Sequence, residues 1–234
     1  MDVGCLQIHV RLAAQSSRNR KAKRAGTRAI PQEDPFHPIE QIAMAAERNR
    51  VCPVELADSL DSRVRRWFQN PRKILGPFVS EGKVALDLGC GPGFFSVELA
   101  RLVGPHGRVI AADLQQGMLD KLARKVEGTE YSPRIRLVKC DQSGLNIADK
   151  VDFILTFYMV HEVPDQPALF RQLFPLLNEK GRYLLVEPKL FHVSRGQFRD
   201  TLRHAQAAGF VSAPGPRLLL SWSAVLMKPS NGAV

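Results

Sequence analysis

What this 234-residue chain lacks narrows the field quickly. No uninterrupted apolar run approaches the roughly eighteen residues that a membrane-spanning helix needs. The apolar patches are short and punctuated, as buried strands are. The four cysteines, Cys5, Cys52, Cys90 and Cys140, include no C-x-x-C pair. No histidine cluster has metal-ligand spacing either, so neither a disulfide framework nor a metal centre is expected. This cysteine usage fits a reducing compartment, and a cytoplasmic location is expected. No apolar core follows the N-terminal charges as a secretory signal would require. Internal repeats are absent. What is present, 44% hydrophobic and 24% charged residues, suits one α/β domain with a large core plus appendages.

The formal net charge is +10. Residues 1–43 hold seven basic against four acidic side chains, and the stretch Arg18 to Arg28 (RNRKAKRAGTR) has no apolar periodicity. A disordered, dispensable tail is expected there. An Arg-rich targeting presequence and a nucleic-acid-binding arm are the functional alternatives. Residues 44–80 read as a short helical lid. Within it Leu60, Val64 and Trp67 recur at helical spacing, with Arg63, Arg65 and Arg66 on the other side. Asn70-Pro71 then starts a second helix, because Asn caps well and Pro is tolerated in the first turn. Ile74, Leu75 and Phe78 form its apolar face. The domain proper is expected over 81–234.

From residue 83 strands and helices alternate. Strands are expected at 83–88, 108–112, 135–140, 151–157 and 182–186, with a closing hairpin over 210–211 and 218–227. Helices are expected at 94–103, through Met118, Leu122 and Val126 to Gly128, and over 169–177, where Pro175 must kink or end the helix. Ser194-x-x-Gln197 is a capping box opening a further helix. Such alternation implies a mostly parallel, doubly wound sheet with helices on both faces. Ligands of these sheets bind at the carboxyl ends of the strands, where strand order reverses.

The strongest motif lies at one of those ends. Asp87-Leu-Gly89-Cys-Gly91-Pro-Gly93 follows a strand and precedes a helix. Its glycines let the backbone turn tightly and approach a ligand without Cβ obstruction. Asp87 offers an acceptor to a charged amino group. The position that a dinucleotide fingerprint reserves for a small residue is Phe94. A Phe there crowds a pyrophosphate but not the amino-acid tail of S-adenosylmethionine. Twenty residues beyond Gly93 stands Asp113, able to accept from both hydroxyls of a ribose; the alternative is a plain helix cap. Leu114 follows it. Asp141 and Gln142, after the third strand, reach toward an adenine amino group or are ordinary loop residues. Phe157, Tyr158 and Met159, after the fourth, line the sulfonium and substrate mouth or belong to the core.

These pieces, VALDLGCGPGFFS, VIAADL, KCD, FILTFYMVHEVPD and LLNEKGRYLLVEP, carry a resemblance. From about Cys52 onward the chain resembles the class I S-adenosylmethionine-dependent methyltransferases of the methyltransferase-11 and -25 type, loosely similar to quinone C-methyltransferases. The resemblance implies a Rossmann-like seven-stranded sheet of order 3-2-1-4-5-7-6 with the last strand antiparallel. It also implies S-adenosyl-L-methionine bound across the first strands by Asp87, Gly89, Cys90, Gly91, Gly93, Asp113, Leu114, Asp141, Gln142 and Phe157. No Asn-Pro-Pro-Tyr-like tetrad follows the fourth strand, which argues against adenine or glutamine amino-group methylation of that style. No cysteine arrangement of the arsenite-methylating kind is visible.

His161, with Glu162 beside it, is the leading catalytic candidate, because imidazole takes protons near neutral pH. The alternative is a structural His-Glu pair at a helix start. Tyr158 is the second candidate. With no large recognition insertion, the expected acceptor is a small molecule. RNA or protein, drawn by the basic charge, is the first rival, and a non-catalytic cofactor-binding subunit the second.

Overall fold

Along the central strands, side chains alternate between two apolar cores, which is the period-two signature of a sheet buried on both faces. The computed structural model of the protein describes residues 69–141, 144–189 and 193–229, all within the unit Pro53–Val234. The expected tail and most of the expected lid, including Cys52, Leu60, Val64, Trp67 and the arginines between them, lie outside the described residues, as does Gln142. Seven strands form one sheet: β1 (Val84–Leu88), β2 (Arg108–Asp113), β3 (Ile135–Lys139), β4 (Val151–Phe157), β5 (Leu177–Pro188), β6 (Val211–Pro214) and β7 (Ser221–Met227). Their order is β3-β2-β1-β4-β5-β7-β6. The first five pair in parallel, whereas β7 runs antiparallel to both β5 and β6. Order and direction are those expected. The reversal of strand order falls between β1 and β4.

Five described helices flank the sheet: α1 (Pro71–Leu75), α2 (Ser96–Val103), α3 (Gln116–Val126), α4 (Gln166–Leu176) and α5 (Arg195–Ala207). Leu86, Ile110, Ile154, Tyr183 and Leu185 face the core that Phe170, Leu173 and Phe198 of α4 and α5 complete. Ala85, Val109, Phe153, Leu155 and Leu184 face the other, with Leu75 of α1 and Leu99 and Val103 of α2. Leu119, Leu122 and Val126 of α3 cover Ala111 of β2 in a third cluster. Helices therefore cover both faces. Among the described residues, no helix is long and apolar enough to cross a membrane.

Local signals explain most boundaries. Asn70 accepts the Lys73 N–H at 3.1 Å and caps α1. The box at Ser194 makes both of its bonds. Asp165 caps α4 earlier than expected by accepting the Ala168 N–H at 2.8 Å, and the helix ends one residue past Pro175.

Two further boundary differences have a packing cause. The helix expected over 94–103 starts only at Ser96, because the glycine turn continues through Phe94 and Phe95, whose buried rings meet edge-on at 4.9 Å. Strand β5 begins at Leu177 instead of near 182. Leu177 pairs with Val151, and the register then shifts across residues 178–181 before pairing resumes at Arg182–Phe153.

Candidate functional site

Burying a polar side chain is costly unless something compensates, so the distribution of buried polar groups is informative. The described ones are Asp87, Ser96, Asp113, Thr156, Glu187, Thr201 and Ser221. All but Thr201 cluster at the carboxyl ends of β1, β2, β4 and β5 or on the segments that meet them. This is the same edge at which strand order reverses.

The turn after β1 is bound to β2. Gly89 N–H and Cys90 N–H both donate to Ala112 O, at 2.8 and 3.1 Å. Gly91 N–H donates to Asp113 Oδ2 at 2.9 Å, and Gln115 N–H donates to Oδ1 at 2.8 Å. The glycine turn and the β2 carboxylate thus form one unit. Burial pushes the Asp113 carboxyl above its usual range, and the two N–H bonds and nearby Lys139 pull part of that back. Each carboxylate oxygen accepts two hydrogen bonds, so the backbone contacts leave capacity for hydroxyl donors. Two glycines require their identity. At Gly93 φ is +83°, and a Cβ would lie 2.2 Å from Leu122. At Gly91 φ is +52°, and nothing lies within 4 Å of the Cβ position. The Cβ position of Gly91 is thus open, beside the buried Asp113 carboxylate. No phosphate-binding small residue is present, since Phe94 fills that place.

The other expected cofactor residues have varied settings. Asp87, at 2% exposure, accepts the Ser96 hydroxyl at 2.6 Å through Oδ2. The Cys90 thiol is buried, and burial, with Asp87 and Asp113 nearby, pushes its pKa well up, so it stays neutral. Leu114 is exposed at the rim, and its carbonyl accepts from the Lys139 ammonium. Asp141 is exposed and folds its own loop, accepting from Gly144 N–H at 2.9 Å and Asn146 Nδ2 at 3.1 Å. Phe157 is buried between Phe95, at a centroid distance of 4.4 Å, and Tyr158, at 4.5 Å.

Beyond β4 the chain makes a strained corner. Tyr158 has φ +63°, a conformation that costs a non-glycine residue on the order of 1 kcal/mol or more. Its N–H donates to Val186 O at 2.9 Å. Its hydroxyl is bonded to Ser221 Oγ at 2.6 Å and receives Gln69 Nε2 at 2.9 Å. Ser221 opens β7, opposite Pro188 at the end of β5. Residues 69–80 therefore reach the site through Gln69, while Phe78 stacks on Phe153 at 5.9 Å.

Next comes a single 3-10 turn, Val160–Glu162. Its His161 Nδ1 lies 2.5 Å from Glu187 Oε2, and Val160 N–H donates to Glu187 Oε1 at 2.9 Å. Burial lowers the His161 pKa, but the Glu187 bond and charge, with Glu162 adding, outweigh it and leave it raised. Burial also pushes Glu162 up to about 7; His161 opposes this, while Glu187 and Asp113 reinforce it.

Sequence reasoning brought Asp87, the glycines, Asp113, Tyr158 and His161 to one edge, and the structure places them there. It missed Glu187, Ser221, Gln69 and Ser96. For Glu187 a signal existed: a lone carboxylate ending the apolar run Leu184-Leu185-Val186.

Comparison with known proteins adds to this geometry. Residues 85–181 match a family model described as a methyltransferase domain. The chain is 33% identical over 110 residues to the demethylmenaquinone methyltransferase of Lactobacillus johnsonii, covering 47% of this chain and 45% of that protein. It is 36% identical over 140 residues to the malonyl-[acyl-carrier protein] O-methyltransferase of Legionella pneumophila, covering 58% and 44%. The chain thus spans less than half the length of these curated relatives. A solved S-adenosylmethionine-dependent methyltransferase from Aquifex aeolicus superposes with a TM-score of 0.64 at 21% identity, over 75% of this chain and 99% of that one.

Proposed function

From the methyltransferase-domain match over residues 85–181 and the fold it sits in, we propose that the chain is a class I S-adenosylmethionine-dependent methyltransferase that transfers a methyl group to a small-molecule acceptor. The observation that carries the reading is the joined unit of glycine turn and Asp113, with open space over Gly91. Asp113 would take the ribose hydroxyls, Gly89 to Gly93 would give the backbone close approach, and Asp87 would anchor the amino-acid end. The cofactor supplies, when bound, a methyl carbon already activated by the sulfonium charge. The protein's remaining work is to hold the acceptor in line, exclude water and receive a proton.

His161 is the group placed to receive that proton. It sits in the turn after β4, whose Met159 side chain lies against Gly89 of the glycine turn, and its Nδ1 faces Glu187, so Nε2 would be the basic atom. Tyr158, held by Ser221 and Gln69, would shape the acceptor's side of the mouth. Two of the relatives are named for a quinone and for a carrier-bound malonyl group, which favours a non-nucleic-acid acceptor.

The test is a screen of phenols and quinols, thiols and carboxylates, alongside RNA and protein fractions, with release of S-adenosylhomocysteine as readout. Turnover on a small acceptor, nearly flat with salt, is expected. Turnover confined to RNA and falling steeply with salt would show the basic charge at work and contradict the reading.

A further inference from the structure

Glu187 is the most completely enclosed carboxylate at this edge, at 1% exposure. A carboxylate removed from water is strongly penalised unless hydrogen bonds and a counter-charge meet it. Its Oε1 takes the Val160 N–H and its Oε2 faces His161 Nδ1. Of these two contacts, the imidazole is the one that becomes a cation on taking a proton. The arrangement joins residues 26 apart in sequence, from the ends of adjacent parallel strands. The turn that carries His161 is also fixed from behind. Val160 is fully buried, and its carbonyl accepts from Gln166 Nε2 at 3.1 Å. Gln166 Oε1 in turn accepts the Thr201 hydroxyl at 3.0 Å. Supports of this kind hold a reacting group within a few tenths of an ångström.

Resting on the reading of His161 as the proton acceptor, we infer that Glu187 is its positioning residue: the buried carboxylate selects the Nδ1–H tautomer, aims Nε2 at the acceptor, and stabilises the imidazolium once formed. A neutral imidazole carries its proton on one nitrogen only, so a proton held on Nδ1 by Glu187 makes Nε2 the acceptor. In the reaction the acceptor's proton passes to Nε2. The electron pair of that bond becomes the new bond to the methyl carbon, and the carbon–sulfur pair departs with sulfur. The imidazolium then returns its proton to water. Glu187 holds the Nδ1–H through the step, as the carboxylate partner of a catalytic histidine does.

Among the described residues, the charged groups acting on His161 include Glu187 from β5 and Glu162 from its own turn, while Asp113 from β2 acts on Glu162. The raised affinity of His161 for a proton is consistent with this setting, and its largest charged contribution comes from Glu187. A carboxylate that merely capped Val160 would not control His161 in this way.

The experiment is an NMR titration of the His161 ring in the full chain, without cofactor, in wild type and Glu187→Gln. Removing the negative charge should lower the His161 midpoint by about one pH unit or more. The wild-type ring should show the Nδ1–H tautomer above that midpoint. With an acceptor from the screen, kcat should fall at least tenfold with little change in KM, and the acid limb of the rate profile should move down with the titration. A His161 midpoint that stays in place in Glu187→Gln overturns the inference, whatever the rate. A midpoint that moves while His161→Ala retains full turnover overturns the reading of His161 as base instead. If Glu187→Gln does not fold, Glu187→Asp decides the matter: the shortened carboxylate should lower the midpoint by a smaller amount, and no movement overturns the inference.

Discussion

At Gly93 two independent constraints meet, a left-handed backbone and the Leu122 side chain 2.2 Å from any added Cβ. Gly93→Ala should therefore cost about 2 kcal/mol or more, read as a lowered midpoint in urea unfolding, and should loosen the turn that holds Asp113. At this scale the sequence was readable where a residue's role is local. Glycine spacing and an aspartate after a strand announce themselves within a single window. Glu187 and Ser221 were not readable, because their partners His161 and Tyr158 lie 26 and 63 residues away. Only the pairing of β4, β5 and β7 brings them together. Asp87 was read as a ligand group, and the Ser96 hydroxyl on its Oδ2 went unforeseen, although Ser96 is only nine residues on.

At the scale of elements, caps and periodicity carried the reading. Helix α5 follows from the Ser194 box, whose two bonds measure 2.8 and 3.2 Å. Ser194→Ala should cost about 1 kcal/mol, detectable as a lower thermal midpoint with the fold intact. The misplaced start of β5 has a tertiary cause. Leu177 is fully buried and pairs with Val151 ahead of the register shift, a contact with no signature in the polar run Asn178-Glu179-Lys180. The late start of α2 has a packing cause: Phe94 and Phe95 fill the core from the turn itself. Apolar periodicity cannot distinguish that from a first helical turn.

For the whole molecule, the site edge sets a pH dependence. Glu162 and Asp113 are raised in the folded state. They therefore hold protons that the unfolded chain has already lost, and stability falls as pH rises through that interval. For Glu162 the interval runs from its ordinary 4.5 to about 7. His161, also raised, contributes stability that is present below its ordinary 6.5 and lost as pH climbs past its folded value. Asp152 acts oppositely: lowered in the fold by the Val84 N–H, Asn178 and Lys83 despite partial burial, it loses its contribution below about pH 4. Thermal stability should therefore peak on the acid side of neutrality and decline toward pH 8. Glu162→Gln should flatten that decline, gaining roughly 1 kcal/mol at pH 8 once solvent screening is discounted. Scanning calorimetry from pH 4 to 9 checks both statements.

The central claim is that one edge of this sheet is an S-adenosylmethionine site organised by the glycine turn and Asp113. The most direct measurement is isothermal titration of the full chain with S-adenosylmethionine and S-adenosylhomocysteine, in wild type and Asp113→Asn. The account predicts saturable one-to-one binding of both ligands by wild type. It predicts roughly tenfold or greater weakening in the variant, the expected loss of a charge-assisted hydrogen bond to a hydroxyl. Absence of binding by wild type, or equal affinity in Asp113→Asn, would contradict it.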